Sequence, residues 1–78
     1  MPTLTKSGNT HELEYPSDQD ILDAFDHIRN GEKLRIICRS EAQWHDTGII
    51  VKDEFPNTLF RVIKKKENSD MILIIKVH

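Results

Sequence analysis

Met71-Ile72-Leu73-Ile74-Ile75-Lys76-Val77 is the most apolar run in the chain, and the other elements must be arranged to cover it. Side chains alternate across a strand, which puts Met71, Leu73, Ile75 and Val77 on one face and Ile72 and Ile74 on the other. A half-exposed strand interleaves apolar and polar residues, and this one does so only at Lys76, so both of its faces call for cover. The run reads as an interior strand, a barrel wall or part of a subunit interface.

Outward from it, Glu67-Asn68-Ser69-Asp70 is a turn, preceded by a strand over Leu59 to Lys65. That strand sets Leu59, Arg61, Ile63 and Lys65 against Phe60, Val62 and Lys64. Pro56 and Asn57 mark the turn before it, and Gly48 opens a further short strand, Ile49 to Lys52. Ser40 to Thr47 is polar apart from Ala42 and Trp44 and reads as a connection. Lys33 to Arg39 is a strand with Leu34, Ile36 and Cys38 on one side.

The N-terminal part has a different character. Ile21, Leu22, Phe25 and Ile28 recur at helical spacing, with Asp23, Asp26 and Asn30 opposite them. Ser17 stands at the N-cap position, Asp18 and Asp20 suit the positive end of the dipole, and Asn30-Gly31 is a stop, so the pattern predicts a helix over Asp18 to Arg29. Before it, Thr3 to Lys6 and His11 to Tyr15 flank Ser7-Gly8-Asn9-Thr10 as a hairpin, with His11, Leu13 and Tyr15 on its apolar face.

The expected fold is therefore α+β: one domain over residues 1–78, in the order β-β-α-β-β-β-β, with a mainly antiparallel sheet of four to six strands. One amphipathic helix covers one face. Ile37, Ile50, Phe60, Val62, Ile72 and Ile74 suggest apolar surface on the second, so the sheet either curls into a small barrel or takes cover from another subunit, as in a homodimer through the sheet. The hairpin is expected to flank the last strand and hide its edge.

Composition narrows the class. Seventy-eight residues leave no room for a second core, and a single cysteine, Cys38, allows no internal disulfide, which fits a reducing compartment. The first residues lack a secretion signal, and no run approaches the roughly 18 apolar residues of a membrane span. The expectation is a soluble, cytoplasmic protein. Charge is uneven: residues 1–32 hold two Lys or Arg against seven Asp or Glu, and the remainder nine against six.

The chemistry-bearing residues form few groupings. Cys38, His45 and Asp46 suggest a nucleophile, base and orienting acid, but adjacent residues of an extended segment point to opposite sides, so Asp46 is poorly placed to orient His45. His11, His27, Cys38, His45 and His78 lack the close pairs of zinc sites, and the isolated glycines build no phosphate loop. The sequence thus gives no catalytic, metal or cofactor site, and the chain is read as non-enzymatic.

Arg61, Lys64, Lys65 and Lys66 form a basic run, with Trp44, Phe55 and Phe60 as stacking candidates for nucleic acid. Strand alternation divides these lysines between two faces, and the net charge of −2 opposes general phosphate binding. The stretch Gly-Ile-Ile-Val-Lys-Asp-Glu-Phe-Pro-Asn, with Gly48, Asp53 and Asn57, resembles the Sm-like RNA-binding barrels over about ten residues. The resemblance implies a barrel that binds RNA. The Gly-to-Asp spacing is one residue short and the last strand lacks that family's Arg-Gly or Lys-His pair, so no RNA-binding residues carry over.

The leading expectation is a small protein-binding module, an inhibitor, adaptor or regulatory subunit of the kind encoded by phages and mobile elements; the alternative is a small RNA-binding barrel. The residues expected to meet a protein partner are Asp23, Asp26 and Asn30 on the acidic helix and Trp44 and His45 in the following connection. Those for nucleic acid are Arg61, Lys64, Lys65 and Lys66.

Overall fold

The computed structural model describes residues 5–66 and 68–77. Seven elements follow in the order β1 (Thr5–Ser7), β2 (Thr10–Glu14), α1 (Asp18–His27), β3 (Lys33–Ile37), α2 (Glu41–Glu54), β4 (Phe60–Lys66) and β5 (Asp70–Lys76). The strands form one mixed sheet in the order β1-β2-β3-β5-β4, with β2 parallel to β3 and the other neighbours antiparallel. The fold is α+β, as expected. The sheet stays open and does not close into a barrel.

The hairpin turns at Gly8, whose φ of 62° suits the tight two-residue connection of β1 to β2. The expected strand residues Thr3 and Leu4 lie outside the described residues, as do Glu67 and His78. The hairpin does not flank the last strand. It adds to β3 through β2, and β5 lies in the interior between β3 and β4. Parallel pairing of β2 with β3 requires a crossover, which α1 supplies.

Ser17 caps α1 with a complete capping box: its hydroxyl accepts from Asp20 N at 3.1 Å and its own N–H donates to Asp20 Oδ2 at 3.0 Å. The helix ends at His27, two residues short of the expected Arg29, with Ile28 already extended. Gly31, at φ 88°, serves the turn into β3, where Glu32 N–H donates to Arg29 O, and does not cap the helix.

The main departure is α2. It takes up nearly all of the residues expected to form a loop (Ser40 to Thr47) and a strand (Ile49 to Lys52), so the described residues form two helices and five strands. Ser40 is its N-cap and accepts from Gln43 N at 3.1 Å. A topological reason exists for it. Strands β3 and β4 run parallel on either side of β5, and a parallel return needs a crossover rather than a hairpin.

Both helices pack on one face of the sheet. Leu13, Leu34, Ile36, Ile72 and Ile74 from the strands meet Ile21, Ala24, Phe25, Ile28 and Val51 from and beside the helices in one buried cluster, edged by Trp44, Phe55, Phe60 and Val62. Phe25 is fully enclosed, 5.1 Å from the Phe55 ring and 5.3 Å from Phe60. Of the apolar residues expected on a second face, Phe60, Val62, Ile72 and Ile74 belong to this helix-covered side and Ile50 to α2; Ile37 alone lies on the uncovered side. Tyr15, expected on the apolar face of its strand, follows β2 at φ 52° and is 61% exposed.

Candidate functional site

Alternation along the strands builds the uncovered face. Register places Thr10, Lys33, Ile75 and Arg61 in one cross-strand row, Glu12, Arg35, Leu73 and Ile63 in the next, and Glu14, Ile37, Met71 and Lys65 in the third. Each row crosses the sheet from β2 through β3 and β5 to β4. Along β5, Met71, Leu73 and Ile75 thus line up over the centre of the sheet, while Ile72 and Ile74 lie buried beneath the helices. Among the described residues no helix covers these outer side chains. Ile37, Met71, Leu73 and Ile75 are half-buried by their neighbours, and Ile63 is 37% exposed.

A depression of about 100 Å³ opens in this face between Arg35, Ile63, Lys65, Met71 and Leu73. Its floor is aliphatic and its rim cationic. Arg35 Nη1 donates to Glu12 Oε1 at 3.3 Å, a half-exposed pair that fixes the guanidinium toward β2. Arg61, Lys65 and Glu14 are exposed around the apolar centre.

The residues expected to carry function divide between the two sides. Asp23 and Asp26 project from α1 into solvent, and Asn30 lies exposed in the turn after it. Trp44 sits on α2 rather than in a loop and is folded onto the core, where its indole N–H lies 3.2 Å from both the Lys65 and Met71 carbonyl oxygens. His45 is exposed on the same helix, 3.8 Å from Glu41.

Of the four basic candidates, Arg61 and Lys65 belong to the uncovered face. Lys64 and Lys66 turn to the helix side, with their ammonium groups 5.4 and 5.1 Å from the Trp44 ring centroid. Lys66 also pairs with Glu41 at 2.8 Å, which holds the carboxyl of Glu41 below its ordinary range, and Lys64 donates to His45 O at 3.0 Å. The structure therefore splits the basic run. Trp44, Phe55 and Phe60 all pack toward the helix-covered core, and none stands on the uncovered face.

Strand β3 ends at Ile37, and Cys38 follows it as a buried residue whose N–H donates to Asp70 O at 2.8 Å. Burial, aided by Asp70, pushes the Cys38 thiol up to about 11, which keeps it protonated. That is the reverse of an activated nucleophile. Among the described residues no group of three or more His, Cys, Asp or Glu side chains is arranged to hold a metal ion. A second depression, about 480 Å³, opens where the parallel strands end; Ser17, Asp18, Arg39, Ser40, Gln43 and Asp46 help to line it. Gln43 there is buried but saturated: it donates to Pro16 O and Asp18 Oδ1 and accepts from Arg39 N.

The uncovered face was only half legible. Its β5 and β4 residues follow from strand alternation, but the extent of the face depends on both helices lying on the opposite side, and α2 carried no apolar periodicity to show it. The likeness to Sm-like barrels does not survive, because Gly48 to Glu54 are helical. Compared with known proteins, the chain matches no family model, and no curated protein or solved structure is significantly similar to it. Among the described residues no helix is long and apolar enough to cross a membrane.

Proposed function

We propose that this chain is a small non-enzymatic protein-binding module that works through the uncovered face of its sheet. One observation carries the reading: two helices seal one face, while Ile37, Ile63, Met71, Leu73 and Ile75 form an apolar centre over which none of the described residues form an element. A contiguous apolar patch rimmed by charge is what protein interfaces are made from, and the aliphatic depression beside Leu73 offers a seat for an inserted side chain. Inhibitor, adaptor and regulatory subunit are all roles that such a surface can serve.

Arg35, Arg61 and Lys65 give the same face a basic rim, the feature that favours nucleic acid as the second reading. Two facts weigh against it: Trp44, Phe55 and Phe60 pack toward the core and offer no stacking surface on this face, and Glu12 and Glu14 project from β2.

The test is site-specific photo-crosslinking in the cell that makes the protein, with the photoreactive residue at position 63 or, as a control, at position 26 on α1. Protein adducts from position 63 are the expected result. Adducts to nucleic acid alone, or none, contradict the reading.

A further inference from the structure

On the uncovered face the carboxylates Glu12 and Glu14 lie on β2 and the far strand β4 carries Arg61 and Lys65; between them β3 carries Lys33 and Arg35 beside Ile37, and β5 presents only Met71, Leu73 and Ile75. Taking the face to be a protein-docking surface, we infer that its occupant is a second copy of this chain, related by a two-fold axis parallel to the strands and midway between β3 and β5.

The symmetry choice follows from the charges. Rotation about that axis keeps each cross-strand row at its own level but reverses the order of strands, so β2 of one copy lies over β4 of the other and β3 over β5. Glu14 then faces Lys65 of the second copy, Glu12 lies diagonally between its Arg61 and Lys65, Ile37 meets its Met71, and Lys33 and Arg35 lie over its Ile75 and Leu73. Both charge contacts occur twice, as an isologous interface requires. The other two-fold in the plane of the interface, perpendicular to the strands, lays each strand over itself. Centred on the middle row, it sets Glu12 on Glu12, Arg35 on Arg35 and Arg61 on Lys65, a juxtaposition of like charges. Sheets joined in the first way form an aligned sandwich, crossing at about −30°. The helices end up outside.

Size sets the strength. Four strands spaced about 4.8 Å apart and three rows about 6.7 Å apart cover roughly 400 Å² in projection. A standard interface buries about 800 Å² per partner, so the dimer belongs to the small, reversible class.

Sedimentation equilibrium with a charge swap tests this. Glu14→Lys and Lys65→Glu each replace two attractive contacts by two repulsive ones, and each is expected to raise the dissociation constant roughly tenfold at low salt. The double variant Glu14→Lys/Lys65→Glu restores opposite charges and is expected to return to within a few-fold of the original value, with circular dichroism confirming that all three fold. A chain that stays monomeric at millimolar concentration, a dimer indifferent to both single swaps, a double variant that is not rescued, or open-ended oligomers overturns the inference. If the second copy fails while crosslinks from position 63 still capture another protein, the docking reading stands; if position 63 captures no protein, both fall.

Discussion

Glu32 shows how much one side chain organises here. It is buried in the turn between α1 and β3, where its carboxylate accepts from Arg29 N at 2.7 Å and pairs with Lys6 at 3.2 Å. Its backbone joins the end of β5: Lys76 N–H donates to Glu32 O at 3.1 Å. The Arg29 N–H, helped by His11 and Lys6 and opposed by burial, holds the Glu32 carboxyl down at about 2 from an ordinary 4.5. A carboxyl depressed on folding adds stability that is complete above its unfolded value and is lost as pH falls through its folded one, so Glu32 contributes to acid unfolding between about 4.5 and 2. Glu32→Gln is expected to lower the midpoint of urea unfolding at pH 7 and to flatten the decline of stability across that window. Asp20, also lowered by its Ser17 hydrogen bonds, leaves part of the slope in place. A decline as steep as in the unaltered chain contradicts this assignment. His11 stands beside the cluster, its Nε2 3.3 Å from Glu32 Oε2.

Among the elements, α1 was plain in the sequence and α2 was not, and the contrast has a physical cause. The buried face of α1 is written in Ile21, Ala24 and Phe25, whereas that of α2 is Gln43, Thr47 and Val51, four apart but mostly polar. Buried polar groups need partners: Thr47 Oγ1 donates to Gln43 O at 2.6 Å, and Gln43 ties the N-terminus of α2 to the start of α1. Apolar residues meanwhile fall on the exposed side, with Ile49 63% exposed, so Gly48-Ile49-Ile50-Val51 imitates a β-branched strand. The usable signal was Ser40-x-x-Gln43, the capping-box spacing. Strands β4 and β5 were legible because their alternation is strong, and the parallel placement of β2 against β3 was not, since pairing partners leave no local mark. Gly48 offers a check on α2: an added Cβ would sit 3.7 Å from Val62 Cγ2, ordinary contact. Gly48→Ala is therefore expected to stabilise the chain by about 0.5–1 kcal/mol in urea unfolding, the usual gain in a helix interior. A loss would mean that α2 approaches β4 more closely than this.

At the scale of the molecule, charge divides by layer more cleanly than by position in the chain. The two helices hold eight Asp or Glu against Lys52, and the five strands hold eight Lys or Arg against Glu12, Glu14 and Asp70. The sequence showed an imbalance between its halves; the fold turns it into an acidic helical layer on a basic sheet. Closing two sheets on each other leaves acidic helices, with Asp23 and Asp26, on both outer surfaces. That arrangement suits an adaptor for basic partners. It all depends on which face of the sheet is the binding surface, and the side-chain methyl resonances read that directly because successive residues of β5 report opposite faces. In a dilution series from millimolar protein, Ile37, Ile63, Met71, Leu73 and Ile75 are predicted to shift with concentration while Leu34, Ile36, Ile72 and Ile74 stay fixed. Shifts confined to helix residues such as Leu22 and Ile49 would contradict a binding surface on the uncovered face, and no concentration dependence at all would overturn the dimer.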